Sequence, residues 1–338
     1  MKNFGTKSTF AGFLPGIAGI RGIPVWCYYV NRGQGVCSFG TANKDGSIME
    51  FSPAHVAYQT VKRTGFRTFI RKDGKAYEAF SDEKQETFFN VEKNLLSLEE
   101  KNADGGFDIK VNYYVLPGER LGALVREVYI TNTTNATASI EILDGMPALI
   151  PHGINQDNMK NMTQTAKAWM QSETTKGGNT FYRVRASLAD STKVDEIVAG
   201  NFAVGLTESG EKMQVITDPE ALFSYDSSLG RAVRFEEEGL AGVLAYRQNL
   251  SNLIPSAFFV RTAELKPGET VSLFEEYGFA ESPDFLDSYA SDLHNKDYFA
   301  LKKAEARRLT DELTKVMLTK TGNKAFDDYS EYDYMDNC

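Results

Sequence analysis

Residues 23–71 read IPVWCYYVNRGQGVCSFGTANKDGSIMEFSPAHVAYQTVKRTGFRTFIR. Three short apolar runs lie inside this stretch, at 25–30, 36–40 and 47–51. Asn31-Arg32-Gly33 separates the first two and Lys44-Asp45-Gly46 the last two. Gly accepts positive φ at no steric cost, so Gly33 and Asp45-Gly46 mark hairpin turns. The stretch is predicted to be a β-meander. Its aromatic and basic side chains pose the functional question. Trp26, Tyr28, Tyr29, Arg67 and Phe69 build either a sugar-facing surface or a core.

Strand-like runs continue downstream, near 65–71, 87–98, 107–116, 122–132 and 136–145. They resume at 180–188, 201–206, 213–216, 232–235, 240–249, 256–265 and 270–279. Residues 54–59 read as a helical turn or an irregular crossing, and 149–171 as a long ordered loop with one helical turn. Loops of that length inside a compact β domain tend to be functional. Strand after strand with short turns and no intervening helices points to antiparallel sheets in a sandwich, not to βαβ units. At Ser282 the period changes. Ser282 suits an N-cap, Pro283 the first helical position and Asp284 the first turn. One helix should run to about residue 293. A second should start at 295–297, with Phe299, Leu309, Leu313, Val316 and Met317 at helical spacing. The expected fold is therefore all-β: a large antiparallel β-supersandwich over 1–280, two linker helices within 281–319, and a short acidic tail over 320–338.

At 338 residues the chain can hold two domains or one large β domain. Apolar residues make up 42% and charged residues 25%, ordinary for a soluble globular protein. The net charge of −9 argues against a nucleic-acid partner. No run approaches the ~18 apolar residues of a membrane helix, and the first 22 residues have no continuous apolar segment of a signal peptide. A cytoplasmic protein without membrane contact is expected. Cys27 and Cys37 lie nearly symmetric about Arg32, so they form either a cross-strand disulfide or, as expected of a reduced protein, two buried thiols. His55, His152 and His294 are isolated from one another and from the cysteines, and no zinc, EF-hand or P-loop spacing is present. Neither a metal site nor a cofactor is expected.

Sugar contact is the live chemistry. Sugars present apolar C–H faces and hydroxyl edges, so their sites combine aromatic platforms with Arg, Asn, Gln or His. Two stretches carry that set: 65–69 beside Tyr58 and Gln59, and the loop 152–169. The candidate substrate-binding residues are Tyr58, Arg67, His152, Asn155, Asn158, Lys160 and Trp169. Large aromatics are usually core. For Trp26 and the Phe residues the core reading outweighs the ligand reading; for the 152–169 loop the two balance.

The segments 23–40, 43–59 and 65–71 resemble the amino-terminal region of bacterial β-glucoside phosphorylases of glycoside hydrolase family 94, most closely the 1,2-β-oligoglucan type. Residues 157–169 are similar too, as are Phe326-Asp327-x-Tyr329 and Tyr334-Met335-Asp336-Asn337; elsewhere the likeness is loose. The resemblance implies the amino-terminal sandwich and helical linker of such an enzyme. Residues 320–338 would then be the stretch where the family chain passes into an (α/α)6 catalytic barrel. On the residues alone, that tail could equally be disordered. In the family an Asp general acid protonates the glycosidic oxygen while inorganic phosphate, the co-substrate, attacks from the opposite face. Both sites lie in the barrel, so no catalytic residue is assigned here. The implied partners are a catalytic (α/α)6-barrel domain or subunit, a β-linked gluco-oligosaccharide and a second copy of the chain. Alone, the chain would be inactive. The alternative is a stand-alone carbohydrate-binding or scaffolding sandwich, and a third reading is a sandwich hydrolase with two carboxyl groups facing across a cleft. An exposed aromatic platform would favour stand-alone binding. An apolar patch beside 299–317 would favour a missing barrel.

Overall fold

The computed structural model describes residues 1–188, 192, 196–293, 296–317 and 319–337; His294 and Cys338 lie outside them. The first sheet is the expected meander with one strand added. It comprises β1 (Ala11–Leu14), β2 (Val25–Val30), β3 (Val36–Thr41) and β4 (Ser47–Met49), in that order. Gly33 has φ +54° and Gly35 φ +83°, as the first turn requires. In the second turn the positive φ falls on Ala42 instead. Gly46 is needed there for space, because a Cβ would strike the Thr41 carbonyl. Cys27 faces Phe39 across the pair, and a bulge follows between Tyr28 and Tyr29. Cys27 belongs to the central core and Cys37 to the outer cluster, and both thiols are free and buried.

Helix α1 (Ala54–Thr64) covers the outer face of the meander, burying Ala57 and Val61 against Tyr28, Val30 and Cys37. Next come β5 (Arg67–Lys72), β6 (Lys75–Glu78), β7 (Glu86–Val91), β8 (Leu96–Asn102), β9 (Phe107–Val115), β10 (Gly122–Asn132) and β11 (Ala138–Met146). The run expected as one strand over 87–98 is two, β7 and β8, joined by a tight turn in which Glu92 N donates to Leu95 O. The loop 149–171 contains α2 (Gln156–Asn161), α3 (Thr163–Ala166) and a 3-10 turn at Lys167–Trp169. It leads into β12 (Met170–Thr174), β13 (Thr180–Val184), β14 (Gly200–Thr207) and β15 (Gln214–Ile216).

Two expected strands, 232–235 and 240–249, are overturned. After α4 (Glu220–Phe223) the chain forms one helix, α5 (Val233–Ala245), kinked at Gly239. Val233, Phe235, Leu240 and Val243 bury against β5 and β11, while Glu237 and Glu238 stay at the surface. Tertiary burial selects the helical face; the short apolar runs carried no such information. Strands β16 (Ala257–Leu265) and β17 (Thr270–Ala280) complete the β structure.

The class is all-β, with three antiparallel sheets packed on one another. The second sheet runs β12-β13-β14-β17-β10-β9-β8-β7 and the third β15-β16-β11-β5-β6. Their inner faces meet that of the meander in one core containing Tyr29, Phe39, Phe66, Leu98, Val128, Ile142, Phe259 and Tyr277. Within that core Arg126 donates to both oxygens of Asp144 at 2.6 and 2.8 Å, and to Gln34 at 2.6 Å. Arg126, Asp144 and the nearby Glu275 are all fully buried. Burial, and then the Asp144 carboxylate, push Glu275 well above the usual carboxylate range. A neutral Glu275 leaves one cation opposite one anion, the only affordable arrangement in a low-dielectric interior.

Helices α6 (Pro283–Asp292) and α7 (Lys296–Thr314) follow as expected, with the Ser282 side chain capping α6 through Phe285 N. They cover the outer face of the eight-stranded sheet, placing Leu286 and Phe299 over Phe274 and Tyr114. The tail is α8 (Lys324–Asp336), which returns to β1. The buried residues of α7 are Phe299, Ala306, Thr310 and Thr314. Other apolar side chains are exposed: Leu301 is 71% exposed, Leu313 37% and the following Val316 83%.

Candidate functional site

A deep cleft lies where the meander, the start of the 149–171 loop, the end of β17 and the end of α8 converge. It encloses about 710 Å³ and is lined by Phe13, Leu14, Ile23, Pro24, Trp26, His152, Phe279 and Asp336, among others. That volume suits a small organic ligand, for which sites span roughly 300–1,000 Å³. Each wall has a local cause. Residues 25–30 alternate, so Val25, Cys27 and Tyr29 enter the core while Trp26 stays half-buried on the opposite face. The Trp26 indole N–H donates to Asn43 O at 3.2 Å, and its ring meets Phe51 edge-on. His152 packs edge-to-face on Phe279, with ring centroids 4.9 Å apart.

The wall from α8 is held by a polar lock. Phe13 N donates to Asp336 Oδ1 at 2.6 Å, and the hydroxyls of Tyr29 and Tyr332 lie 2.6 Å apart. Gly12 sits beneath both contacts, since a Cβ there would come within 2.8 Å of Asp336 Oδ1 and of the Tyr29 hydroxyl. A side chain at residue 12 would occupy the space of the lock.

The chemistry is that of a hydroxyl-bearing ligand with an apolar face. Trp26, Phe13 and Phe279 supply π-surface. Burial lowers the His152 pKa, so its imidazole is neutral at pH 7, with one nitrogen to donate and one to accept. Asp336 is the only carboxylate among the described lining residues, and Lys and Arg are absent from them. One carboxylate does not make the facing pair that an inverting hydrolase needs. Nor does this lining hold a cation to neutralise phosphate. Among the described residues no three His, Cys, Asp or Glu side chains are grouped as a metal ion requires.

The seven residues singled out from sequence occupy several separate environments. His152 lines the cleft. Asn155 and Asn158 form the capping box of α2, each side chain bonding the other's backbone N–H. Lys160 is exposed at the end of that helix. Trp169 packs half-buried on a small cluster with Ile150, Met159 and Met170. Tyr58 on α1 is half-buried against the cluster of Tyr28, Val30 and Cys37, its ring 6.0 Å from the Arg32 guanidinium. Arg67 is 2% exposed, with its guanidinium bonded to Glu78 and to the carbonyls of Leu229 and Gly230. Sequence reasoning missed Phe13, Phe279 and Asp336. The Asp336–Phe13 bond spans 323 residues, and nothing local to either partner announces it.

No protein-family model matches the sequence, and no curated protein matches it. Solved structures do. A bacterial glucoamylase complexed with acarbose is 10% identical, with 96% of this chain and 43% of that chain covered at a TM-score of 0.47. A polysaccharide lyase is 13% identical, with 78% and 33% covered at 0.39. A galactose mutarotase-like protein from Clostridium acetobutylicum is 8% identical, with 76% and 92% covered at 0.38. This chain thus spans 33% of the lyase and 43% of the glucoamylase. Each of the three names refers to a carbohydrate.

Proposed function

We propose that this chain is the sandwich-and-linker part of a carbohydrate-active enzyme, an inverting β-oligoglucan phosphorylase, as a fragment or as one subunit of a split enzyme. The observation that carries this reading is a set of exposed apolar side chains on the linker and the helix that touches it. Leu301, Leu313, Val316 and Met317 on and after α7, with Phe326 and Tyr329 on α8, are all exposed. Exposed apolar residues concentrated on two touching helices mark a surface that another body covers. A catalytic (α/α)6 barrel is the occupant, because the family resemblance places it directly after this linker.

In this reading the barrel supplies the general acid and binds inorganic phosphate, the co-substrate. The sandwich contributes Trp26, His152 and Asp336 to the approach of a β-linked gluco-oligosaccharide, in a cytoplasmic enzyme. Completed by the barrel, it converts that sugar and phosphate into a shorter oligosaccharide and glucose 1-phosphate. Stand-alone carbohydrate binding keeps one observation in its favour, since a half-buried Trp26 lines a cleft formed by this chain's own residues.

Association separates the two. The chain is mixed with the product of the reading frame directly downstream, and mass is followed by size-exclusion chromatography with light scattering. The wild type should form a heterocomplex, and Leu313→Glu with Val316→Glu should weaken it at least about tenfold. Both sites are exposed, so the fold should tolerate the change. A wild type that stays monomeric, or that only pairs with itself, overturns the barrel-docking reading.

A further inference from the structure

We propose that the edge of the sandwich where residues 250–252 pair with β12 carries a second binding site, for one neutral sugar residue. This inference goes beyond the phosphorylase reading and does not depend on it, because the ligand class follows from the lining alone. Strand β12 ends the eight-stranded sheet and β15 ends the five-stranded one. Between them lies a cavity of about 300 Å³, at the lower end of the small-molecule range. Ser172, Thr180, Gln214, Thr217 and Gln248 line it, with Met213 as an apolar contact. Hydroxyls and amides on one apolar patch match the hydroxyl edges and C–H face of a single sugar ring.

Two details indicate a ligand rather than a packing defect. Ser172 is 94% buried, being 6% exposed, and its Oγ has no hydrogen-bond partner. It shares the inward side of β12 with the fully buried Met170. A buried hydroxyl without a partner is costly, so such groups are rare unless something else satisfies them. Gln248 accepts from Thr217 N at 2.8 Å and from Asp218 N at 3.2 Å through its carbonyl oxygen, which leaves the amide nitrogen as the end able to donate to a ligand. The charge pattern sets the class. Glu173 is the only ionisable lining residue, and it pairs with Arg183 at 3.6 Å. With no Lys or Arg in the lining, phosphate and sugar phosphates are disfavoured against a neutral ring.

The site also touches the linker. The turn 175–179 borders the cavity through Gly178. Asp287 of α6 holds that turn by accepting from Gly177 N and Asn179 Nδ2, each at 2.7 Å, and from the Thr175 hydroxyl.

The test is calorimetric titration of the full chain with D-glucose, with inorganic phosphate as the contrasting probe. The wild type should bind glucose at millimolar concentration. Ser172→Ala should weaken it about fivefold or more, the loss of one hydrogen bond. Unliganded Ser172→Ala should melt no lower than wild type, because its Oγ bonds nothing in the protein; a merely structural serine would lower it. Gln214→Trp, at an exposed position on β15, should block the mouth and abolish binding, while Trp26→Ala should leave it intact. The proposal fails if the wild type shows no glucose binding up to about 100 mM, if phosphate binds equally well, or if Ser172→Ala and Gln214→Trp bind as the wild type does. Binding lost with Trp26→Ala but kept by the other two would assign the sugar to the main cleft and refute a second site.

Discussion

Gly12→Ala should release α8 from the sandwich without unfolding the sheets. The new Cβ would come within 2.8 Å of Asp336 Oδ1 and of the Tyr29 hydroxyl, and closer still to the Tyr332 hydroxyl. Tyr29 is fully buried and cannot retreat, so the groups on α8 must move. Two contacts then go: the Tyr29–Tyr332 bond and the bond from Phe13 N to the Asp336 carboxylate. A neutral bond contributes about 1 kcal/mol net and one to a charged acceptor about 1.5–3, so docking should weaken by about 2.5–4 kcal/mol. That raises the undocked population of α8 roughly 10²- to 10³-fold. Amide hydrogen exchange read by mass spectrometry is the assay, since it resolves local opening from global unfolding. Protection should fall over residues 324–336 and hold in β9, β10 and β17. Gly5→Ala is the control, because a Cβ there meets nothing within 4 Å. Unchanged protection in α8, or a loss spread evenly over the chain, would refute the lock.

Two further outcomes follow from the interior. Arg126→Met removes one partner of a fully buried ion pair and leaves Asp144 uncompensated; urea denaturation should show a loss of about 3–5 kcal/mol. Burial pushes the Glu276 carboxyl up to about 8 from 4.5, against the hydrogen bonds it accepts from Tyr289. The folded state thus binds the extra proton between those values. Stability should fall as pH rises from about 4.5 to about 8, by up to about 5 kcal/mol from this group. Glu276→Gln, which keeps an acceptor for Tyr289, should flatten that fall in denaturation midpoints measured from pH 5 to 9.

The legible parts of the chain were those whose signals are local. Asn31-Arg32-Gly33 between two β-rich runs suffices for the first hairpin, and Ser282-Pro283-Asp284 suffices for the start of α6. Helix α5 was not legible, because Phe235 and Leu240 take their meaning from β5 and β11 across the packing interface. In α7 the helical period was readable and the buried side only in part. Phe299 and Ala306 are buried as the spacing suggested, but Thr310 and Thr314 are buried while Leu313 and the following Val316 are exposed, the reverse of what hydrophobicity suggests for those four. The site divides the same way. Trp26 and His152 could be suspected from their residue types. Asp336 reaches the cleft only because α8 folds back on β1.

The central claim is tested most directly by glucose 1-phosphate formation from a panel of β-linked gluco-oligosaccharides with inorganic phosphate. The chain is assayed alone and then together with the product of the reading frame immediately downstream. Product in the mixture and none from the chain alone is the expected result, and it would make this chain the sandwich part of a phosphorylase. Turnover by the chain alone would contradict it by placing the chemistry among the residues described here, and silence in the mixture would contradict the phosphorylase reading itself.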